Sequence, residues 1–128
     1  MTGNRILVVE DNERNLKLVR DVLQYAGYEV IAARSGEQGV TLAREWTPDL
    51  VLMDLQLPTM NGTEALHILR ADPLTRAIPV VAVTASAMNE DRERALRDGF
   101  DSYLEKPISV RTFPDLVRGF LRKKEHPE

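Results

Sequence analysis

The sequence predicts a doubly wound α/β domain, a five-stranded parallel sheet with helices on both faces. Three observations carry that expectation. Five short apolar runs alternate with five helical patterns along the 128 residues. Three of those runs, ILVV, LVLM and VVAV, are apolar at successive positions, as in strands covered on both sides. Strand, helix and strand repeated along a chain wind right-handed, which sets successive strands parallel. The common order for five such strands is 2-1-3-4-5.

The strands are expected at Ile6 to Val9, Glu29 to Ala32, Leu50 to Met53, Val80 to Val83 and Ser102 to Leu104. Leu16, Val19, Leu23 and Ala26 recur at helical spacing and stop before Gly27. Ser35 followed by Gln38 matches a capping box and opens a second helix to about Trp46, ahead of Pro48. Asn61 or Thr63 starts a third helix through Leu66 and Leu69, and a fourth runs from about Asn89 to Gly99. The last is the clearest. Phe113, Leu116, Val117, Phe120 and Leu121 form an apolar stripe opposed by Arg111, Asp115, Arg118 and Arg122. Pro114 belongs in its first turn, where a missing N–H costs least. The whole chain, 1–128, reads as one domain with a core of about 4–123 and a short polar tail, 124–128.

Hydrophobic residues make up 43% and charged residues 29%, the proportions of a globular chain. With no cysteine, neither a disulfide framework nor a thiolate metal site is available. The opening MTGNRILVVED meets an acidic pair early, unlike a secretory signal, and no run of about 18 apolar residues occurs. No membrane association is expected, and the cytoplasm is the expected compartment. A net charge of -3 with basic residues spread along the chain argues against nucleic acid as a partner. The closing RKK suits the dipole of the last helix. His67, on an outward helix position, and His126, in the tail, read as surface residues and argue against zinc.

In a parallel sheet every strand points its C-terminus to one edge, and ligands bind there where the strand order reverses. After the strands stand Glu10 and Asp11, then Asp54, then Thr84, then Glu105, Lys106 and Pro107. Strands one and three adjoin at the switch point, so Glu10, Asp11 and Asp54 should converge. Singly, each has an ordinary role. Asp11 or Asn12 can cap the first helix, Asp54 can form a turn before Pro58, Thr84 can cap a loop and Lys106 can be a solvated lysine. Together they are harder to explain that way, because like charges in one crevice repel unless a cation neutralises them. Magnesium suits a few carboxylates with retained waters, whereas calcium wants more ligands. Magnesium beside a hydroxyl and a lysine describes a site for phosphoryl oxygens. VVEDNERN stands where a phosphate-cradling glycine loop would follow the first strand. The phosphoryl group is therefore expected on Asp54 itself, as an aspartyl phosphate.

ILVVEDN, PDLVLMDLQLPTMNG, IPVVAVTASAM and GFDSYLEKPI, in that order, resemble the receiver domain of bacterial two-component response regulators, a flavodoxin-like fold. The resemblance covers essentially the whole chain. Within that family the VVEDNERNLKLV opening and the KPISV segment look closest to stand-alone regulators of the alphaproteobacterial cell cycle. The resemblance implies that a histidine kinase or a histidine phosphotransfer protein phosphorylates Asp54. It implies magnesium, for which manganese can substitute, held by Asp11, Asp54 and the Gln56 backbone carbonyl, with Glu10 acting through water. Thr84 and Lys106 would bind the phosphoryl oxygens, and Tyr103 would turn inward when Thr84 moves. Lys106-Pro107 would be a cis peptide, which proline permits. Gln56 and Ser86 would border the site and tune hydrolysis of the aspartyl phosphate. The signal would leave through the face of helix four, strand five and helix five to a downstream protein, since no output domain follows Glu128. Such a protein is a switch that catalyses its own phosphotransfer and dephosphorylation, not an enzyme acting on a separate substrate. Two departures stand out: Glu10 where Asp is usual, and Phe100 where a small residue is usual.

Three other readings compete. A magnesium-dependent phosphohydrolase of the haloacid dehalogenase type would carry a second Asp two residues after the nucleophile, where this chain has Gln56. A flavodoxin-like cofactor carrier would need a hydroxyl- and glycine-rich loop after strand one, where Glu10 and Asp11 would repel a flavin phosphate. A receiver cut from a larger hybrid histidine kinase would carry the same motifs.

Overall fold

The computed structural model of the chain describes residues 4–85 and 89–125. Its elements are β1 (Arg5–Val9), α1 (Glu13–Tyr25), β2 (Glu29–Ala33), α2 (Gly36–Trp46), β3 (Leu50–Asp54), α3 (Gly62–Ala71), β4 (Val80–Thr84), α4 (Asn89–Asp98), β5 (Ser102–Glu105) and α5 (Phe113–Glu125). The strands form one parallel sheet in the order β2-β1-β3-β4-β5. The doubly wound α/β class and the strand order are those read from the sequence.

β3 and β4 are buried along their full length, which accounts for their unbroken apolar runs. One face of the sheet packs against Leu16, Val19 and Leu23 of α1 and Phe113, Val117 and Leu121 of α5. The other face packs against Ala43 of α2, Ala65, Leu66 and Leu69 of α3, and Ala95 of α4. β2 to β5 each end one residue later than their apolar runs suggest. Pairing is a backbone property, so Asp54 stays in register with Val83 and Thr84 with Glu105 although both side chains are polar.

Helix boundaries follow the caps. Asn12, not Asp11, caps α1 by accepting from the Asn15 N–H at 3.0 Å. Asn61, not Thr63, caps α3, and Glu64 completes a capping box by accepting from the Asn61 N–H at 3.0 Å. At α2 the expected box is incomplete. Ser35 accepts from the Gln38 N–H at 3.1 Å, but the Gln38 side chain accepts from the Arg34 N–H at 2.8 Å, one residue before the cap. Two residues expected on apolar faces lie outside them. Leu116 is exposed because α5 turns only Phe113, Val117 and Leu121 fully inward, and Ala26 is exposed at the C-cap of α1. Among the described residues no helix is long and apolar enough to cross a membrane.

Candidate functional site

The C-terminal edge of the sheet brings the expected residues together. Asp54 ends β3 and Thr84 ends β4, one position beyond Val83, which pairs with Asp54. Glu10 directly follows β1, and its N–H donates to the Ala33 carbonyl at 2.9 Å, which holds it against the end of β2. After β5 the Lys106 N–H donates to the Thr84 carbonyl at 2.7 Å, and the Lys106-Pro107 peptide is cis. The chain leaving Asp54 doubles back tightly, so that a methyl at Gly62 would lie 2.5 Å from the Asp54 carbonyl oxygen. Glycine is required there by close backbone approach.

Lys106 ties the crevice together. Its Nζ lies 2.8 Å from Asp54 Oδ2 and 3.0 Å from Glu10 Oε1. The other Asp54 oxygen, Oδ1, accepts from the Gln56 N–H at 2.9 Å, and Glu10 Oε2 accepts from the Asn12 N–H at 3.1 Å. Asp54 and Glu10 are almost wholly buried, at 3% and 5% exposure, while Asp11 is exposed at the crevice mouth. Burial pushes the Glu10 carboxyl above its ordinary range against the opposing pull of Lys106 and the Asn12 N–H, with Asp54 adding repulsion. Burial would lower the Lys106 ammonium, but its contacts with Asp54 and Glu10 outweigh that and hold it above its ordinary value.

Oxygens of Glu10, Asp11 and Asp54 lie within 4.8 Å of one another, facing the Lys106 ammonium. Three carboxylates against that ammonium leave the crevice with excess negative charge, which a hard divalent cation with oxygen ligands would neutralise. The residues present fit magnesium: the donors are all oxygens, and exposed Asp11 leaves the mouth open to retained waters. Beside the crevice an apolar cavity of about 340 Å³, walled by Leu18, Val19, Val83 and Ile108, opens onto Asp54 and Lys106. The Asp54 carboxylate is thus buried yet bordered by open space.

The remaining expected residues are placed as follows. Thr84 is buried, and its β4 position puts its side chain on the same sheet face as Ala82, which pairs with Tyr103. Tyr103 is half-buried against the core cluster that includes the buried Phe100. The Gln56 side chain is exposed and His67 faces solvent. Ser86 and His126 lie outside the described residues. Three features escaped the sequence reading: the double contact of Lys106, the Arg92 guanidinium 4.5 Å from the Tyr103 ring centre, and a bond from Thr59 to Glu37. Arg92 in the first turn of α4, where a cation opposes the helix dipole, was the one available signal.

Residues 6–118 match the response regulator receiver domain. The chain belongs to that family, the phosphoryl-accepting switches of two-component signalling. Within it, the chain is 48% identical over 116 residues to the polar-differentiation response regulator DivK of Brucella ovis, covering 91% of this chain and 94% of that protein. Among solved structures it is similar to the receiver domain of a sensor histidine kinase from Pseudomonas aeruginosa. That match has a TM-score of 0.86 at 34% identity and covers 94% of this chain and 99% of that one. The Pseudomonas crystal structure has a magnesium ion coordinated in the active-site cleft. A receiver domain protein from Methanospirillum hungatei aligns with a TM-score of 0.87 at 29% identity, covering 99% of this chain and all of that one.

Proposed function

We propose that the chain is a single receiver domain of the DivK type that accepts a phosphoryl group on Asp54 from a histidine kinase or histidine phosphotransfer protein. One observation carries the assignment: Asp54 is a buried carboxylate held by Lys106 Nζ at 2.8 Å and the Gln56 N–H at 2.9 Å, at the point of excess negative charge. Those two donors fix the carboxylate plane and leave each oxygen a lone pair for attack. An Asp54 oxygen forms the O–P bond as the N–P bond of a phosphohistidine breaks, and the departing imidazole takes up a proton. Lys106 then moves its donor from the carboxylate to the phosphoryl oxygens, and Thr84 at the end of β4 donates to them as well. Asp11, Asp54 and the Gln56 carbonyl would hold magnesium, or manganese in its place, with Glu10 acting through water. When bound, the ion neutralises phosphoryl oxygen charge.

Phosphorylation adds roughly -1.5 to -2 charges to the crevice. Drawing Thr84 toward that charge opens space on its sheet face for Tyr103, and the change is a population shift between two side-chain states. The face of α4, β5 and α5 would then present an altered surface to a downstream protein in polarity or cell-cycle control, inside the cytoplasm. Gln56 and Ser86 are assigned to tuning of dephosphorylation, and exchanging both should change the hydrolysis rate. The haloacid dehalogenase reading lacks its general acid, since Gln56 stands two residues after Asp54.

Acetyl phosphate with magnesium, followed by mass-spectrometric mapping, tests the reading. Labelling is expected on Asp54 and should vanish in a folded Asp54→Asn variant. A labelled residue elsewhere would overturn it.

A further inference from the structure

We infer that Glu37, on α2, positions the loop between Asp54 and α3 through a hydrogen bond to Thr59, and thereby sets the affinity of the crevice for a divalent cation. The inference rests on the reading of Asp54 and the Gln56 carbonyl as cation ligands. Thr59 has a φ of +61°, in the left-handed region that a β-branched residue disfavours. Such a conformation persists only where its surroundings hold it, and two contacts do so. The Thr59 hydroxyl lies 2.9 Å from Glu37 Oε2 and 2.6 Å from the Pro58 carbonyl, so its proton is shared between a carboxylate and a backbone oxygen. One residue on, the loop rests directly on the start of α2, where a methyl at Gly36 would lie 2.9 Å from the Met60 carbonyl oxygen.

The same loop carries Gln56, whose N–H already orients Asp54 at 2.9 Å. Its far end is tied down by the Gly62 N–H donating to the Leu55 carbonyl at 3.3 Å and by the capping box of Asn61 and Glu64. Between those fixed ends the Thr59 to Glu37 bond joins the turn to a different element. Glu37 sits in the first turn of α2, where a carboxylate complements the helix dipole, so its own place is secure. Loss of the bond would release Thr59 toward ordinary φ values and shift the backbone that aims the Gln56 carbonyl. Glu37 is a positioning residue: it touches neither the cation nor the phosphoryl group.

Magnesium titration by isothermal calorimetry tests this on the full chain, with Glu37→Ala, Glu37→Gln, Thr59→Val and Asp54→Asn compared with wild type. Glu37→Ala and Thr59→Val should each bind magnesium about tenfold more weakly, the low end of the cost of losing an outer-shell support. Thermal unfolding of the metal-free variants should match wild type. Glu37→Gln keeps an acceptor oxygen and should recover most of the affinity. If Glu37→Ala and Thr59→Val both bind as wild type does, the inference fails. It fails equally if Glu37→Gln is as weak as Glu37→Ala, because the carboxylate charge would then be the cause. Asp54→Asn separates the two levels: undiminished affinity there would overturn the cation-site reading itself, whereas a weakened Asp54→Asn beside an unaffected Glu37→Ala overturns only the role of Glu37.

Discussion

At the C-terminal edge of the sheet Lys106 faces Asp54 and Glu10, whereas at the opposite edge Arg70 faces Asp101 and three backbone carbonyls. Both clusters set a cation against a carboxylate far away in sequence. Arg70 donates to the carbonyls of Arg76, Ile78 and Gly99 at 3.0, 2.7 and 3.2 Å and to Asp101 Oδ2 at 2.8 Å. Asp101 Oδ2 also accepts from the Val80 N–H at 2.7 Å. There one guanidinium meets one carboxylate, and the planar fork suits the fixed carbonyls. The Lys106 cluster is unbalanced, with two buried carboxylates and Asp11 at its mouth. Burial differs between the two ends, since Asp54 and Glu10 are enclosed while Asp101 is half exposed. Charge differs as well, because, of the two ends, the one at Lys106 carries the surplus of carboxylates over cations.

The contrast can be broken from either side. Lys106→Met should have the largest effect, costing the metal-free protein about 3 kcal/mol at neutral pH by leaving buried carboxylates unpaired. The Lys106 ammonium titrates above its ordinary 10.5 in the folded chain. Its stabilisation is therefore complete below that pH and lost as pH rises through the folded value. Urea unfolding across pH should show the gap between wild type and variant widest near neutrality. It should narrow in alkali, and in acid as the carboxylates protonate.

Arg70→Ala should cost about 1 kcal/mol by removing the donor to the partly buried Ile78 carbonyl, while Asp101 keeps the Val80 N–H and magnesium affinity stays at the wild-type value. A calorimetric titration that moved would mean that the two ends are coupled. Glu10→Gln has an effect of similar size and the opposite sign. Because burial raises the Glu10 carboxyl above its ordinary 4.5, its ionised form is penalised at neutral pH and free of penalty below that value. The amide should therefore stabilise the metal-free fold by about 1 kcal/mol, the ordinary scale of a point substitution, with the gain fading as pH falls through the raised folded value and gone below 4.5. Magnesium binding should weaken in the same variant.

How far each end was legible follows from the kind of signal it carries. Glu10, Asp54, Thr84 and Lys106 could be gathered from the sequence because each sits at or just past a strand end, and parallel winding sends all strand ends to one edge. No such rule reaches Arg70, which lies on α3, with its partner Asp101 31 residues away just before β5. Thr59 was visible only as one residue of a turn between Pro58 and Gly62. Its positive φ and its bond to Glu37, 22 residues away, depend on how α2 docks against the loop.

The sequence by itself determined the class of the fold and the gathering of three carboxylates, a threonine and a lysine at one edge of the sheet, with the strand order expected as the common one. Those follow from local periodicity and the handedness of crossovers, which need no coordinates. Only the tertiary structure decided that Lys106 bridges Asp54 and Glu10, that Gln38 reaches Arg34 in place of Ser35, and that Leu116 turns outward. Hydrogen bonds are made or lost over a few tenths of an ångström, and distances that fine between residues remote in the chain exist only once the elements have packed.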